Sequence, residues 1–268
     1  MSIRRVAVPV ETRAPGGTTN TYVLGRDPAL LVDPAARTDA LDDVLEDRRV
    51  DGIAVTHTHP DHVGAVADYA DSFGATVYAR RGYAGRFAAA TGVEPDRLVV
   101  EGDRLPVDDG AVTVLDTPGH APDHLAFARP NGSLLVGDLA VVEGSVVVGA
   151  PEGDVAAYLV ALRRCWARDP PVCYPGHGPV IDSPRETFAR LIAHRTERER
   201  RVREAVEAGA GHVDAVLARA YDRELTGVED LARATVRAHL EKLVREGRIE
   251  WPPEEGGSTR SVARSEGG

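Results

Sequence analysis

The sequence predicts a mixed α/β fold in which sheets are covered by helices, followed by a small helical domain. Residues 1–180 alternate short apolar runs with stretches of helical periodicity. From residue 183 onward the pattern is almost entirely helical. The chain has 268 residues, of which 43% are hydrophobic, so it can bury a sizeable core.

Apolar runs and turn residues locate the elements of the first part. Strands are predicted at residues 3–10, 22–24, 30–32, 52–56, 76–78, 112–115, 125–128, 134–136 and 172–174. Helices are predicted at residues 38–47, 63–73 and 154–166. Thr38 is the expected cap of the first helix, and Gly74 the expected end of the second. Long loops at the strand ends are where we expect the chemistry.

The C-terminal part begins with a helix-start signal. Ser183 is the predicted cap, Pro184 lies in the first turn, and Glu186 can return to the cap. Two more helices are predicted at residues 212–221 and 228–246, and a turn into a short strand at residues 247–251. Three helices and a strand predict a winged-helix-like unit.

These patterns divide the chain into three predicted segments. A large α/β domain occupies residues 1–182, the winged-helix-like domain residues 183–251, and a disordered tail residues 252–268. The tail is rich in Gly, Ser, Pro and charged residues. The two cysteines, Cys165 and Cys173, are too few for a disulfide framework, and we expect both to be buried.

Charge and hydropathy limit the partners. The net charge is −10, yet residues 185–250 carry 14 Arg or Lys against 13 Asp or Glu. Bulk electrostatics therefore disfavour a polyanion, although the C-terminal segment could meet one locally. No apolar run reaches the roughly 18 residues of a membrane span. The N-terminus lacks the apolar core of a signal peptide, so we expect a cytoplasmic protein with no membrane partner. The oligomeric state stays open.

A dense group of metal-capable side chains follows the strand predicted at residues 52–56. It consists of His57, His59, Asp61 and His62. On an extended strand end His57 and His59 point the same way, because side chains alternate. The chain then turns at Pro60, so the next two side chains can face a neighbouring point. Imidazole and carboxylate are suitable ligands for Zn²⁺ and similar ions, so the run predicts two adjacent half-sites.

Three later segments each place one more ligand type directly after a predicted strand. These ligands are His120, Asp138 and His177, each preceded by a glycine that lets the backbone approach closely. The simplest arrangement that gathers all of them is a shared rim of the sheets. The full set is therefore five histidines and two aspartates.

The signature His57-x-His59-x-Asp61-His62, completed by His120, Asp138 and His177, resembles the metallo-β-lactamase superfamily. The resemblance implies an αββα sandwich with a metal site at the strand ends. It implies that the first ion is held by His57, His59 and His120, the second by Asp61, His62 and His177, and that Asp138 bridges both. The lactamases proper have a cysteine near the bridging position, and this chain has none there.

The resemblance also implies a chemistry. Two cations would lower the pKa of a bridging water until it is hydroxide near neutral pH. Asp61 would orient this nucleophile and take its proton. Two Zn²⁺ ions are the expected cofactors, with Mn²⁺ or Fe²⁺ as alternatives. Diiron oxygen-reducing relatives have Glu at the second motif position, so His59 favours a hydrolytic site.

Other polar residues are weaker candidates. Asp33 follows a strand and could orient a ligand histidine or only cap a turn. Ordinary strand roles are expected for Asn20 and Tyr22. His124, which follows Asp123, is expected to be structural or to face the substrate rather than to bind metal. The helix histidines, for which surface or packing roles are expected, are His194, His212 and His239.

Three functions remain open at the level of sequence. The layout as a whole, including the helix with Ala193-His194-Arg195 and the C-terminal unit, resembles the β-lactamase-like protein 2 group, which implies an endoribonuclease acting on single-stranded RNA. The second hypothesis is a thioesterase or lactonase resembling hydroxyacylglutathione hydrolase, for which the acidic balance suits a small ester or thioester. The third is a non-catalytic winged-helix nucleic-acid binder, against which the complete ligand set argues.

Overall fold

The computed structural model describes residues 2–108, 110–222 and 225–251. Two sheets lie face to face within these ranges, one of six strands and one of five. The tail predicted at residues 252–268 lies outside the described residues. In the described part of the chain, no helix is both long enough and apolar enough to cross a bilayer.

The first sheet combines an antiparallel and a parallel half. Its strands, in order across the sheet, are β1 (Ile3–Pro9), β2 (Thr18–Leu24), β3 (Ala29–Val32), β4 (Val50–Ala54), β5 (Thr76–Arg80) and β6 (Arg97–Val99). The first three pair antiparallel, and β3 to β6 pair in parallel. Parallel neighbours need crossover connections. These contain α1 (Asp39–Leu45), α2 (Pro60–Val63), α3 (Val66–Phe73) and α4 (Ala84–Thr91).

The second sheet is antiparallel except at one edge. Its strands are β7 (Arg104–Val107), β8 (Gly110–Asp116), β9 (Leu125–Ala128), β10 (Leu134–Gly137) and β11 (Cys173–Pro175). They lie side by side in sequence order, and β11 pairs parallel to β10 at the edge. Helix α5 (Val155–Arg168) makes the crossover between those two strands.

Alternation along the strands builds the layers. In β2, Tyr22 and Leu24 face the core between the sheets, whereas Val23 faces the core under α1 and α3. Successive side chains of a strand point to opposite faces, so one strand serves both layers. The outer face of the second sheet is covered by α5, whose Tyr158 and Leu162 are fully buried. The predicted αββα sandwich is therefore confirmed.

Three helices follow the sandwich. They are α6 (Pro184–Glu207), α7 (Val213–Ala220) and α8 (Glu229–Arg245). Residues such as Val202, Val216 and Val236 give them a core of their own. The start of α6 packs on the second sheet instead, because Phe188 and Leu191 belong to the core under α5. The domain division at residue 182 remains a prediction, and α6 begins just after it.

The predicted winged-helix-like unit is wrong in one respect. Residues 247–251, all of which the structure describes, form no strand, so the described part of the C-terminal unit is helical and lacks the strand predicted there. Ile249 and Trp251 are half-buried against the helices instead. A strand needs a partner edge, and hydrophobic contact with the helices satisfies these side chains without one.

Smaller differences concern helix starts and short elements. Ser183 flanks α6 but makes no side-chain capping hydrogen bond. The helix predicted at residues 63–73 is two helices, α2 and α3, separated by Gly64 and Ala65. Helix α4 and strands β6 and β7 were not predicted. The two strands are short and carry exposed arginines, so they lack the apolar runs on which the prediction relied.

Replacement of Phe188 with Ala is expected to lower the free energy of unfolding by about 3–5 kcal/mol, because it removes a fully buried ring between α6 and the second sheet. Urea denaturation measures the loss. Phe73→Ala is the matched control, since its ring is 36% exposed. A loss of about 1 kcal/mol or less is expected there. Equal losses in both variants would contradict the role of Phe188 in joining α6 to the sandwich.

Candidate metal centre

The structure brings all seven predicted ligand side chains together at one end of the sandwich. Each comes from a segment that follows a strand: the segments after β4, β8, β10 and β11. Polar atoms within this set approach to 3.0–3.6 Å. His57 and His62 are fully buried, and His177 and Asp138 almost so. Their identity as metal ligands remains a prediction, and the geometry below supports it.

The first half-site consists of three imidazoles. Nδ1 of His59 lies 3.0 Å from Nε2 of His57 and 3.0 Å from Nε2 of His120. The ligand atoms of these residues all lie within 4.8 Å of one another. The three nitrogens therefore lie close enough together to hold one cation between them.

The second half-site consists of two imidazoles and a carboxylate. Nε2 of His62 lies 3.3 Å from Nε2 of His177, which in turn lies 3.5 Å from Oδ2 of Asp61. Asp138 reaches both half-sites. Its oxygens lie 3.6 Å from Nε2 of His120, 3.6 Å from Nε2 of His62 and 3.4 Å from Nε2 of His177. This position agrees with the bridging role that the family resemblance implied.

In every candidate ligand histidine, the outward ring nitrogen, which is the one that points away from the other ligands, faces an oxygen. The partners are Thr56 Oγ1 for His57, Glu152 Oε2 for His59, Asp33 Oδ2 for His62, Val147 O for His120 and Thr18 O for His177. Carbonyl and carboxylate oxygens can only accept hydrogen bonds, and the hydroxyl of Thr56 accepts here because its own proton goes to Asp33. The outward nitrogen of each neutral ring therefore carries the proton. In a neutral ring the inward nitrogen is then a lone pair, which is the tautomer that binds metal.

Asp33 supports one histidine of each half-site through hydrogen bonds. This carboxylate is 1% exposed and accepts from the backbone N–H of Thr56 at 2.6 Å and from its hydroxyl at 2.7 Å. The same hydroxyl accepts from Nδ1 of His57, and Asp33 also accepts from Nδ1 of His62 at 3.1 Å. Of the two roles left open by the sequence, orientation of a ligand histidine therefore fits the contacts.

Glu152 and Arg86 orient His59, and the sequence analysis did not find them. Glu152 accepts from Nε2 of His59 at 3.1 Å and pairs with the guanidinium of Arg86 through contacts of 2.7 and 2.8 Å. Arg86 also donates to Thr58, whose hydroxyl donates to Asp123. Glu152 lies 93 residues from His59 in sequence, so no local motif could have indicated the contact.

The loop that carries His177 is fixed by β2. The side-chain amide of Asn20 and the hydroxyl of Tyr22 both donate to the carbonyl of Pro175, at 2.9 and 2.6 Å. The backbone N–H of Asn20 donates to the carbonyl of Gly176 at 2.7 Å. The ordinary strand roles expected for Asn20 and Tyr22 are thus combined with the support of a ligand loop.

His124 is adjacent to the centre but already uses both ring nitrogens. Its Nε2 accepts from the backbone N–H of Asp138 at 3.1 Å, and its Nδ1 lies 2.8 Å from the hydroxyl of Thr117. Burial lowers the pKa of His124 to about 3, so the ring stays neutral. These contacts agree with the structural role that was expected of it.

The electrostatics of the two half-sites differ. Burial and the neighbouring imidazoles lower the pKa of His57 far below its ordinary value, and burial lowers that of His120. Burial alone would do the same to His62, but the carboxylates of Asp138 and Asp33 raise its pKa to about 9. The pKa of His177 is also raised, because Asp138 outweighs its burial. A cation entering the second half-site must therefore displace protons.

The residues present fit a pair of divalent cations. Five imidazoles and the carboxylates of Asp61 and Asp138 face a common space, and this nitrogen-rich donor set suits zinc and neighbouring transition metals. Within the described residues, the buried Oδ1 of Asp138 accepts no hydrogen bond. A buried carboxylate oxygen without a partner is costly unless a ligand satisfies it, and a cation would do so.

Gly176 leaves the space that the centre needs. A Cβ at this position would lie 2.4 Å from Oδ1 of Asp138 and 2.8 Å from Cε1 of His62. Gly176→Ala is therefore expected to abolish tight binding of one or both ions, read out as metal content by elemental analysis. Gly85→Ala on α4 is the control, since a Cβ there meets nothing within 4 Å. A Gly176→Ala protein with full metal content would contradict the crowding.

Asp33→Asn is expected to weaken divalent-metal affinity about 10- to 100-fold, because an amide has a single acceptor oxygen for the hydrogen bonds that orient His57 and His62. Competition with a chromophoric chelator measures the affinity. The control is Asp169→Asn, which should keep wild-type affinity. Asp169 has nearly the same backbone conformation as Asp33 (φ 49° against 51°) but lies at the exposed end of a helix. Equal affinity in Asp33→Asn and wild type would refute the orienting role.

Comparison with known proteins extends these observations. Residues 14–177 match the family model of the metallo-beta-lactamase superfamily. The chain is 29% identical over 247 residues to a protein of Caenorhabditis elegans named beta-lactamase-like protein 2 homolog, with 87% of this chain and 81% of that protein covered. It is also 29% identical to an atrochrysone carboxyl ACP thioesterase of Aspergillus fumigatus, with 69% of this chain and 58% of that protein covered.

Solved structures of similar fold also align with this chain. A metallo-beta-lactamase family protein of Thermus thermophilus aligns with a TM-score of 0.73 at 26% identity, with 91% of this chain and 94% of that chain covered. A second structure, described as being in a di-iron-bound form, aligns over 69% of this chain and 98% of that chain, with a TM-score of 0.55 and 30% identity. The matched region contains every residue of the candidate centre, and the chain belongs to the metallo-beta-lactamase superfamily.

Proposed function

We propose that this protein is a metal-dependent hydrolase in which each of the two half-sites would hold one divalent cation, and the two cations together would activate water. The observation that carries the proposal is the pair of three-residue ligand groups with Asp138 in contact with both. When bound, two divalent cations lower the pKa of water and stabilise the negative charge that develops on the attacked group. The ligand chemistry favours Zn²⁺, with Mn²⁺ or Fe²⁺ as alternatives.

Asp61 is the residue to which we assign the handling of the nucleophile's proton. Its Oδ2 accepts from the hydroxyl of Thr12 at 2.6 Å, which fixes the position of the carboxylate. Its side chain is 17% exposed, against 0% for the neighbouring His62. A carboxylate that is held in place and reached by solvent can orient a water molecule and accept its proton.

Single-stranded RNA is the substrate class we favour. Three arginines border the centre: Arg5 donates to Gly178 beside His177, Arg13 follows the Thr12 that contacts Asp61, and Arg86 contacts Thr58 beside His59. Guanidinium groups suit phosphate oxygens. The likeness to beta-lactamase-like protein 2 homologs also extends over most of the chain, C-terminal helices included.

A thioester or ester is the second candidate substrate. A relative named as a carboxyl ACP thioesterase shares 29% identity, but the match covers only 69% of this chain. The net charge of −10 also suits a small substrate better than a long polyanion. The third possibility, a non-catalytic winged-helix binder, loses support because residues 247–251 form no strand.

The metal-loaded protein is expected to cleave single-stranded RNA, and Asp61→Ala is expected to reduce that rate about 100-fold or more. The assay compares RNA with S-lactoylglutathione, an acyl lactone and nitrocefin under the same conditions. Asp68→Ala, which alters an exposed carboxylate on α3, is the control and should retain wild-type rates.

The outcomes separate the candidates. RNA cleavage that is lost in Asp61→Ala supports the first substrate class. Turnover of the thioester with intact RNA would replace it with the second. Protein that binds two ions but hydrolyses none of the substrates would contradict both, and protein that binds no divalent ion would contradict the metal centre itself.

A further inference from the structure

We infer that the C-terminal helices position the ligands of the first half-site, so that contacts from α6 and α8 set its metal affinity while the second half-site is independent of them. The inference rests on the proposed metal centre. It concerns residues 141–154, called here the 141–154 segment, which connects β10 to α5. This segment contacts the centre on one side and the C-terminal helices on the other.

On the side of the centre, the segment holds two of the three first-site ligands. The carbonyl of Val147 accepts from Nδ1 of His120 at 2.6 Å, and Glu152 accepts from Nε2 of His59 at 3.1 Å. The backbone N–H of Asp154 donates to the carbonyl of Gly119, the residue before His120, at 2.8 Å. The orientation of both rings therefore depends on the position of the segment.

Helix α6 binds the start of the segment through two arginines. Arg190 donates to three of its carbonyls, those of Val141 at 2.8 Å, Val142 at 2.9 Å and Gly144 at 2.6 Å. Arg195 is 2% exposed and donates to the carbonyl of Val146, next to the residue that holds His120. Its guanidinium also lies over the ring of Tyr158, at 5.5 Å from the centroid.

Helix α8 binds the end of the segment. The carbonyl of Ala234 accepts from the backbone N–H of Ala150 at 3.0 Å, and Arg245 pairs with Asp154 at 2.9 Å. The segment packs closely against α8 here, because a Cβ at Gly149 would lie 2.8 Å from the Cβ of Ala234. The segment is thus held at both ends by helices that contribute no ligand to the centre.

The second half-site has different supports. His177 is oriented by the carbonyl of Thr18, and its loop is fixed by Asn20 and Tyr22 of β2. Among the described residues, the C-terminal unit contacts the surroundings of this half-site through Arg13, which pairs with Asp230 and donates to the carbonyl of Gly227; the side chains of the ion pair are 57% and 64% exposed. Exposed ion pairs contribute little, so the effect of the helices should be confined to the first half-site.

Cobalt titration of the metal-free full-length chain tests this asymmetry. Absorbance and calorimetry follow the two binding steps, and His120→Ala and His177→Ala serve as references that identify the first and second half-site. Arg190→Ala is expected to weaken the first half-site about tenfold, the lower end of the loss seen when groups that orient metal ligands are removed. The second half-site should keep its affinity. Arg190→Lys retains the charge but not the several donors of the guanidinium, so its first half-site should have an affinity between those of wild type and Arg190→Ala.

Arg185→Ala is the matched control, since it lies on the same helix and contacts Asp169 and Trp166 instead of the segment. The inference fails if Arg190→Ala leaves both steps unchanged, if it weakens both equally, or if Arg185→Ala has the same effect. If Arg190→Ala melts at a temperature far below that of wild type, the two binding steps are compared in Arg190→Lys instead. Wild-type protein that binds no cobalt would overturn the proposed centre, whereas two normal steps in every arginine variant, with one step lost in each histidine variant, would overturn only this inference.

Discussion

The buried carboxylate of Asp33 is the interaction on which the centre depends. It lies just after β3 in a left-handed conformation (φ 51°), which is uncommon for a residue with a side chain. Its backbone is fixed on both sides, since its N–H donates to Ala54 and its carbonyl accepts from the hydroxyl of Thr21. From there one carboxylate joins β3, the end of β4 and helix α2, and so places His57 and His62 together.

The remaining ligands follow the same physical rule. A buried imidazole has one N–H to satisfy, and the fold supplies one oxygen for each outward nitrogen. Satisfying that donor removes the alternative tautomer and leaves the other nitrogen facing inward. The result is a concentration of imidazole and carboxylate donors, and in the second half-site a cation would replace the protons that these groups hold. Metal binding should therefore stabilise the folded chain as well as prepare it for chemistry.

The structure gathers the seven candidate ligands that the sequence indicated, and all seven lie beside a local signal, either the histidine-rich run or a glycine at a strand end. The sequence could not predict Glu152 and Arg86, whose contacts with His59 and Thr58 join parts of the chain 93 and 28 residues apart. The sandwich was predictable from alternation along strands such as β2. The predicted wing failed because an apolar residue such as Ile249 can be buried by a helix as readily as by a strand.

The arginine content has an explanation in these contacts. Lys242 is the only lysine in the chain, among 32 basic residues. A planar guanidinium with five donors can serve several acceptors at once, as Arg190 does with three carbonyls and Arg86 with Glu152 and Thr58. Much of the positive charge is thus engaged in holding the chain together, and its amount says little about the substrate.

Of the three arginines for which a role in phosphate binding is proposed, two have acidic partners. Arg86 pairs with Glu152 and Arg13 with Asp230. A phosphate group would have to compete with these carboxylates for the guanidinium donors. For Arg86 that competition carries a consequence, because Glu152 also orients His59. An anionic substrate that drew Arg86 away would change the environment of a candidate metal ligand, so Arg86 would link the binding of such a substrate to the orientation of His59.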